Sequence, residues 1–221
     1  MSQNNEIAVP GVATWEPNVT SSYGHGWQQL WKYFLELLLV TVIAIVIGLP
    51  LGWLNGGEGA GGAFLTVLGV AYGILLATPI DYGVSFVNLK AARGDELKVE
   101  DMFTVFRNYL NVVLAGLLVW AIVSIGLFLL IIPGIIFACK LAFVPYLVVD
   151  RKMDAIEAVR ESWRMTNGYA WKVFLTGLLA IPIAIAGLIC FGVGIIPAVM
   201  WIRLAFASLY HAVSVAGTAA S

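Results

Sequence analysis

Residues 109–151 read YLNVVLAGLLVWAIVSIGLFLLIIPGIIFACKLAFVPYLVVDR, and between Asn111 and Val149 the only charged side chain is Lys140. A helix needs about 20 apolar residues to cross the hydrocarbon layer of a bilayer. The stretch holds one full length, 109–132, and a shorter one, 134–149, with Pro133-Gly134 between them as the turn of a tight hairpin. The same ruler, carried outward, finds further spans near 33–54, 62–89, 171–191 and 194–216. The first hairpin turns through Asn55-Gly56-Gly57-Glu58-Gly59 and the third through Gly192-Val193-Gly194. The expected fold is all-α and polytopic, with six transmembrane helices.

Composition points the same way. Of 221 residues, 61% are hydrophobic and 11% charged, and mean hydropathy is +0.92. A soluble domain carries about 25% charged residues, so too few are present to cover a water-exposed exterior. A secreted disulfide scaffold, a disordered chain and a cytosolic enzyme are excluded. The net charge of -1 offers no basic field to a nucleic acid. Cys139 and Cys190 sit within apolar runs and read as small buried hydrophobes. His25 and His211 have no Cys or His partner at ligand spacing, so neither a metal nor another cofactor is expected. The domain organisation is a polar cytoplasmic tail over 1–22, a six-helix domain over 23–216 and a cytoplasmic tail over 217–221. The N-terminal stretch has no basic region followed by an apolar one, so it does not read as a cleavable signal peptide.

Charge placement sets the expected orientation. Of the 12 Lys and Arg, all but Lys140 and Arg203 lie before span one, between spans two and three, or between spans four and five, with Lys172 at the entry to span five counted among the last. Cytoplasmic loops collect Lys and Arg, so both termini are expected in the cytoplasm. Trp27, Trp31 and Trp171, with Tyr109 and Tyr169, stand where the headgroup level should fall.

The chain also repeats itself. Gly116-Leu117-Leu118 recurs as Gly177-Leu178-Leu179, Ile131-Ile132-Pro133 as Ile195-Ile196-Pro197, and Leu141-Ala142-Phe143 as Leu204-Ala205-Phe206. Trp31-Lys32-Tyr33-Phe34-Leu35 recurs as Trp171-Lys172-Val173-Phe174-Leu175. Spacings of about 60 residues fit a duplicated supersecondary unit, read as three hairpin repeats, each preceded by a cytoplasmic amphipathic helix. Over 154–166, Asp154 and Glu157 start a helix on which Ile156, Val159 and Trp163 oppose Glu157, Arg160, Glu161 and Arg164. Over 98–107, Val99, Met102, Phe103 and Phe106 oppose Glu100, Asp101 and Arg107. Such helices lie flat at the interface, with Trp163 as an anchor, or pack on the protein's own cytoplasmic face. Two-span units have parallel topology, which allows a pseudo-threefold bundle.

Three charges remain inside the spans: Asp81, Lys140 and Arg203. Lys140 and Arg203 hold the same repeat position, directly before Leu-Ala-Phe. Lys140 precedes Arg151 by three helical turns, about 16 Å, and Asp81 stands at similar depth before Arg93. An ionised group there costs at least about 2.5–3.5 kcal/mol on insertion scales and needs a partner or a wet cavity. Asp81 is expected to neutralise Lys140, Arg203 or both. The cluster reads as a buried ion-pair network, as a polar pathway, or as cations snorkelling to an interface. Glu36, four residues after Lys32, reads as a local helix pair. Pro79, Pro145 and Pro182 each free a carbonyl and favour a kink. Gly69, Gly73 and Ala77 form a small-residue face for helix packing.

No nucleophile–base set, paired carboxylates, Walker loop or dinucleotide fingerprint is present, so no catalytic residue is assigned. The run Pro145-Tyr146-Leu147-Val148-Val149-Asp150 is followed by Ala155, Ala158, Ser162, Met165 and Gly168. Upstream stand Glu100-Asp101-Met102-Phe103, Phe106 and Pro133-Gly134. Together these resemble the signature of uncharacterised prokaryotic six-helix membrane proteins. That family is related to YciC and to the membrane domain of glycerophosphoryl diester phosphodiesterases. The resemblance spans roughly 23–216 and implies a prokaryotic plasma (inner) membrane; it carries no catalytic residues and does not extend to phosphodiester hydrolysis.

The expected function is a non-enzymatic membrane component or scaffold that binds membrane lipids or a membrane-protein partner, or forms a homo-oligomer, with no nucleic-acid partner. The alternative is a small-solute or ion transporter or channel built on Asp81, Lys140 and Arg203. A third reading, drawn from the resemblance, is a membrane partner of a phosphodiesterase or lipid-handling enzyme. A wide polar cavity reaching all three charges would favour transport.

Overall fold

The computed structural model describes residues 18–54, 60–189 and 194–219, and their regular structure is helical throughout. The turn expected at 55–59, most of the one at 192–194, Cys190, most of the N-terminal tail and the last two residues lie outside the described residues. In chain order the helices are α1 (Val19–Lys32), α2 (Phe34–Leu54), α3 (Ala60–Tyr72), α4 (Thr78–Arg93), α5 (Tyr109–Leu129), α6 (Ile131–Leu141), α7 (Val144–Asp150), α8 (Ala155–Met165), α9 (Ala170–Ile189) and α10 (Ile195–Ala219). A π-helical turn, Gly73–Ala77, joins α3 to α4, and a 3-10 segment, Val99–Asn108, leads into α5. Six stretches are long and apolar enough to cross a membrane: Phe34–Gly52, Gly62–Arg93, Val99–Leu129, Ile131–Asp150, Ala170–Ile189 and Ile195–Gly217. They overlap the six spans read from the sequence. Below, the end holding α1, the 3-10 segment and α8 is the charged end, and the opposite one is the hairpin end.

Several local expectations change. The boundary drawn between residues 22 and 23 falls inside α1, which starts on Asn18, whose Oδ1 accepts from the Val19 amide at 3.1 Å. Ser22 and Tyr23 are buried. The Tyr23 hydroxyl donates to the Thr176 carbonyl at 2.8 Å, and Trp201 Nε1 donates to the Tyr23 carbonyl at 2.8 Å. A side chain on Gly26 would press on the α10 backbone, 3.2 Å from the Ala205 nitrogen, so glycine is what lets α1 lie against α10. The second hairpin turns at the extended Leu130 (φ -164°, ψ 144°), not at Pro133-Gly134, which fall in the first turn of α6. Proline is tolerated there because the first-turn amides have no helical partner in any case. Gly134 instead serves contact: a Cβ on it would stand 2.7 Å from the Leu127 nitrogen, and one on Gly126 would stand 3.0 Å from the Gly134 Cα. The third hairpin closes in the same way, a Gly187 Cβ meeting the Ala198 Cβ at 2.7 Å.

Two spans are interrupted. Span two takes its π-turn immediately before Thr78-Pro79, and the Thr78 hydroxyl returns to the Gly73 carbonyl at 3.0 Å. The turn falls within the small-residue face expected for Gly69, Gly73 and Ala77: Gly73 faces Leu51 of α2, and Ala77 lines a cavity, described below, that α2 also walls. Span four stops at Leu141 and resumes at Val144-Pro145. By contrast, α9 continues as helix through Pro182, and α2 through Pro50.

The core lies where α4, α7 and α10 meet. Tyr82 and Leu89, Phe143 and Leu147, and Leu209 and Tyr210 pack in one buried cluster. A second buried cluster gathers Leu30 of α1, Leu37 of α2, Val87 of α4 and Leu204 of α10, and the 3-10 segment adds Met102 to it, fully buried and lying across α4. Gly83 makes that approach feasible, since a Cβ there would stand 2.0 Å from the Met102 carbonyl oxygen. Gly83→Ala therefore forces backbone apart, and overpacking of this kind costs about 1–3 kcal/mol. The expected outcome is a lowered thermal midpoint for the purified protein, whereas Gly24→Ala, inside α1 where a Cβ meets nothing within 4 Å, leaves the midpoint unchanged or raised, because alanine favours helix over glycine.

Candidate functional site

Asp81 sits in the first turn of α4 and Arg203 near the middle of α10. Their side chains meet, Arg203 Nη2 lying 2.7 Å from Asp81 Oδ1. Of the two partners expected for Asp81, this is the one it takes. The pair is not sealed: the Asp81 side chain is 52% exposed and that of Arg203 36%. It stands at the inner end of a partly enclosed cavity of about 330 Å³ between α2, α4 and α10. Ala44 and Gly48 of α2, Ile80 and Val84 of α4, and Ile196 and Val199 of α10 form its walls. Apart from the ion pair, Thr41 supplies the one polar side chain of the lining. Chemically the site offers an acceptor, the outer carboxylate oxygen of Asp81, beside the spare N–H donors of Arg203, at the foot of an apolar slot.

Lys140 does not join this pair. Its ammonium donates to Asn167 Oδ1, just beyond α8, and lies 5.5 Å from the Trp163 ring centroid. The cause is the break after α6. Where the helix stops, the Lys140 carbonyl accepts from the Ser162 hydroxyl at 2.7 Å, with Thr166 Oγ1 farther off at 3.4 Å. Ser and Thr from a neighbouring helix commonly bond a backbone carbonyl at a helix break. Docked in this way, α8 buries Ala155, Ala158 and Ser162 against the body. Its C-terminal end comes to the level of Lys140, whose chain reaches the charged end instead of the bundle centre. The three-charge cluster expected from the sequence is therefore a pair plus a separate cation.

The strongest polar contact joins residues the sequence had not brought together. Arg93, at the end of α4, grips Asp150 of α7 through two parallel hydrogen bonds, 2.6 and 2.7 Å. Tyr210 of α10 donates to the same carboxylate at 3.2 Å. Three core helices are pinned at one point, and a bidentate Arg–carboxylate pair fixes orientation as well as proximity. Gly94, at φ 79°, ends α4 directly after Arg93. Lys90 meets Asp101 of the 3-10 segment at 2.6 Å. The local pair expected between Lys32 and Glu36 does not form; the Lys32 ammonium lies over the Tyr33 ring, 4.8 Å from its centroid. Among the expected anchors, Trp27 packs on Trp201, Trp31 stacks on Phe34, and Trp171 stacks on Phe174. Trp163 lies against Phe137 of α6. No group of three or more potential metal ligands gathers among the described residues.

Residues 117–216 match the model of a family described as a protein of unknown function (DUF975). The matched stretch includes Lys140, Trp163 and Arg203 and leaves out Asp81. No curated protein and no solved structure matches the chain.

Two measurements probe these contacts. Asp81→Asn leaves Arg203 without its counter-charge and should lower stability by about 1–3 kcal/mol. Asp81→Asn combined with Arg203→Gln should recover at least half of that, because paired residues are non-additive. Equal losses in single and double variants in detergent unfolding would count against the pairing. His25, in α1, has its Nε2 2.8 Å from the Ala92 carbonyl. Burial pushes its imidazole below the usual histidine range, and Lys32 adds to the effect, against that hydrogen bond. The unfolded chain then binds the proton more readily, so stability from this group is present above about pH 6.5 and is lost as pH falls toward the lowered folded value. The thermal midpoint of wild type should drop more than that of His25→Gln between about pH 7.5 and about pH 5.5.

Proposed function

We propose that this protein is a non-enzymatic, multi-pass component of a prokaryotic plasma membrane that binds lipid-like molecules. The cavity between α2, α4 and α10 holds the apolar body of a small amphiphile whose polar end meets Asp81 and Arg203. One observation carries this reading: a half-exposed ion pair stands at the foot of a slot walled by Ala, Gly, Ile and Val. Ionised groups at membrane depth are costly against bare hydrocarbon, so plain acyl chains are poor occupants. Walls of this kind also give a passing ion few oxygens to replace its hydration shell. A molecule with a polar head and a short apolar body suits both ends. A cavity of about 330 Å³ lies at the small end of ligand sites, which run from roughly 300 to 1,000 Å³.

The finer architecture belongs to the same proposal. Cytoplasmic termini rest on the one-sided distribution of Lys and Arg. The hairpin repeat is supported by the close contacts at the turns: Gly126 and Gly187 share the sequence offset of Gly116 and Gly177, and Gly134 and Ala198 that of Pro133 and Pro197. A short element at the charged end, α1, the 3-10 segment or α8, precedes each hairpin and acts as its amphipathic, interfacial helix. Kinship with the YciC-related six-helix proteins rests on the motif residues quoted above. Homo-oligomers or a membrane-protein partner complete the reading.

Transport is the second reading, and one observation favours it. Asp81, Ser85 and Asn88 share a face of α4 running from the cavity toward the charged end, and the buried Asn88 Oδ1 has no hydrogen-bond partner. That leaves a place for water between the ion pair and the charged end.

Native mass spectrometry of the purified protein, joined to flux measurements in liposomes, separates the two. The expected result is a co-purifying single-chain amphiphile, absent from the Asp81→Asn/Arg203→Gln double variant, and leakage no greater than that of empty vesicles. Flux of an ion or solute that disappears in Asp81→Asn would replace the binding reading with transport. The particle mass reads the oligomer in the same experiment.

A further inference from the structure

We infer that α6 and α8 form a second site, one that holds an anionic phospholipid with its phosphate between Lys140 and Arg160. The argument starts on α6. Ile132, Ile136 and Lys140 are spaced four apart, so they form one stripe along the helix, and both isoleucines are exposed. Helix α6 belongs to a membrane-crossing stretch, so this stripe is an apolar track about two turns long ending in a cation. The Lys140 ammonium is drawn toward the charged end, over Trp163 and onto Asn167. Those same two residues, Trp163 and Asn167, line an open hollow on the surface of α8 together with Val159, Arg160 and Arg164.

The charges of this hollow are unbalanced. Arg164 is spoken for, bound by two hydrogen bonds to Glu161 at 2.8 and 2.7 Å. Lys140 has a neutral amide and an indole face as partners and no acidic side chain, and Arg160 enters no ion pair among the described residues. An ammonium with N–H donors to spare, held on two residues of a hollow that an exposed guanidinium also lines, calls for an anion with several acceptor oxygens. Phosphate is the anion both side chains bind well. Trp163 lies between this polar pair and the hydrocarbon track through its contact with Phe137, the level at which an indole favours the headgroup boundary. Ile156 is exposed on the same flank of α8 as Trp163, so that flank offers apolar contact at the boundary as well. Head group, boundary and chain thus each have a matching surface in the right vertical order, which favours a lipid over a soluble anion or an acidic protein segment. The site shares no residue with the α2–α4–α10 cavity and stands or falls separately from it.

The test uses the full chain in nanodiscs holding phosphatidylglycerol and phosphatidylcholine with identical acyl chains, released for native mass spectrometry. Wild type should retain phosphatidylglycerol several-fold over phosphatidylcholine. Lys140→Gln combined with Arg160→Gln should erase that preference, while Lys140→Arg keeps it. Arg107→Gln, which removes a cation from the 3-10 segment, should leave it unchanged. Glycerophosphate, the head group without its chains, should displace none of the bound lipid. The inference is overturned if the double glutamine variant keeps the preference, if Arg107→Gln lowers it equally, or if glycerophosphate competes.

Discussion

The Lys140 carbonyl, released where α6 stops and recovered by the Ser162 hydroxyl, is the contact on which much of this architecture rests. Inside a membrane no water takes over an orphaned backbone group, and each one left bare costs several kcal/mol. A helix can therefore break in mid-span only where another element supplies the donor. Here that element is α8, and the requirement fixes where it lies. Once Ser162 and Thr166 face the break, the small residues Ala155 and Ala158 must face the body too, because they share that side of the helix. Trp163 and Arg160 are then turned outward, and Asn167 arrives beside the Lys140 side chain. One hydrogen-bond obligation thus sets both the packing of α8 and the surroundings of the nearest cation.

The same rule sorts the charges. In hydrocarbon each ion takes the nearest adequate partner or reaches for the interface. Arg203 has no break beside it and stays with Asp81. Lys140, which like Arg203 directly precedes Leu-Ala-Phe, sits on the helix that breaks and follows α8 outward. Their matching sequence context predicts equivalence, and the divergence between the two cations comes from the break after α6 and from Ser162 together. At the charged end, Arg93 and Asp150 have water nearby, yet their bidentate contact with Tyr210 adding a third bond ties α4, α7 and α10 in one orientation. An ion pair of this kind adds specificity of arrangement more than raw stability.

Spans were legible in the sequence because the physics behind them is one-dimensional: a length of apolar chain either reaches across the hydrocarbon or does not. Pairings were legible only in part. Depth can be counted along a helix, and that placed Asp81 level with Lys140, which it does not meet; Arg203 entered only through its shared position before Leu-Ala-Phe. Direction around the helix also depends on breaks, and the π-turn at Gly73–Ala77 and the stop at Leu141 shift direction in ways that a uniform 3.6-residue period cannot register. Leu130 as a turn residue was hidden for a similar reason: Pro133-Gly134 is the stronger turn signal, but proline is equally at home just inside a helix start, and Gly134 was needed for contact with α5. The Arg93–Asp150–Tyr210 junction joins three distant segments, and nothing local to any of them marks the others.

Small residues in this chain have two opposite consequences, and the difference bears on function. At Gly126–Gly134 and Gly187–Ala198 they let helices touch, and the gain is dispersion contact on both sides. Around Ala44, Gly48 and Ala77 the same kind of residue leaves a gap instead. Three helices converge there, and α2 lies against α10 far less closely than α1 does. The lining of a gap forfeits contact energy, which larger side chains at any of those positions would recover. Here the gap also bares an ion pair, adding a second unfavourable term. A defect with two costs at one place is relieved by an occupant that fills the gap and pairs with the exposed charges. That reasoning, more than the size of the slot, supports the proposal of an amphiphile with a polar end for the Asp81–Arg203 cavity.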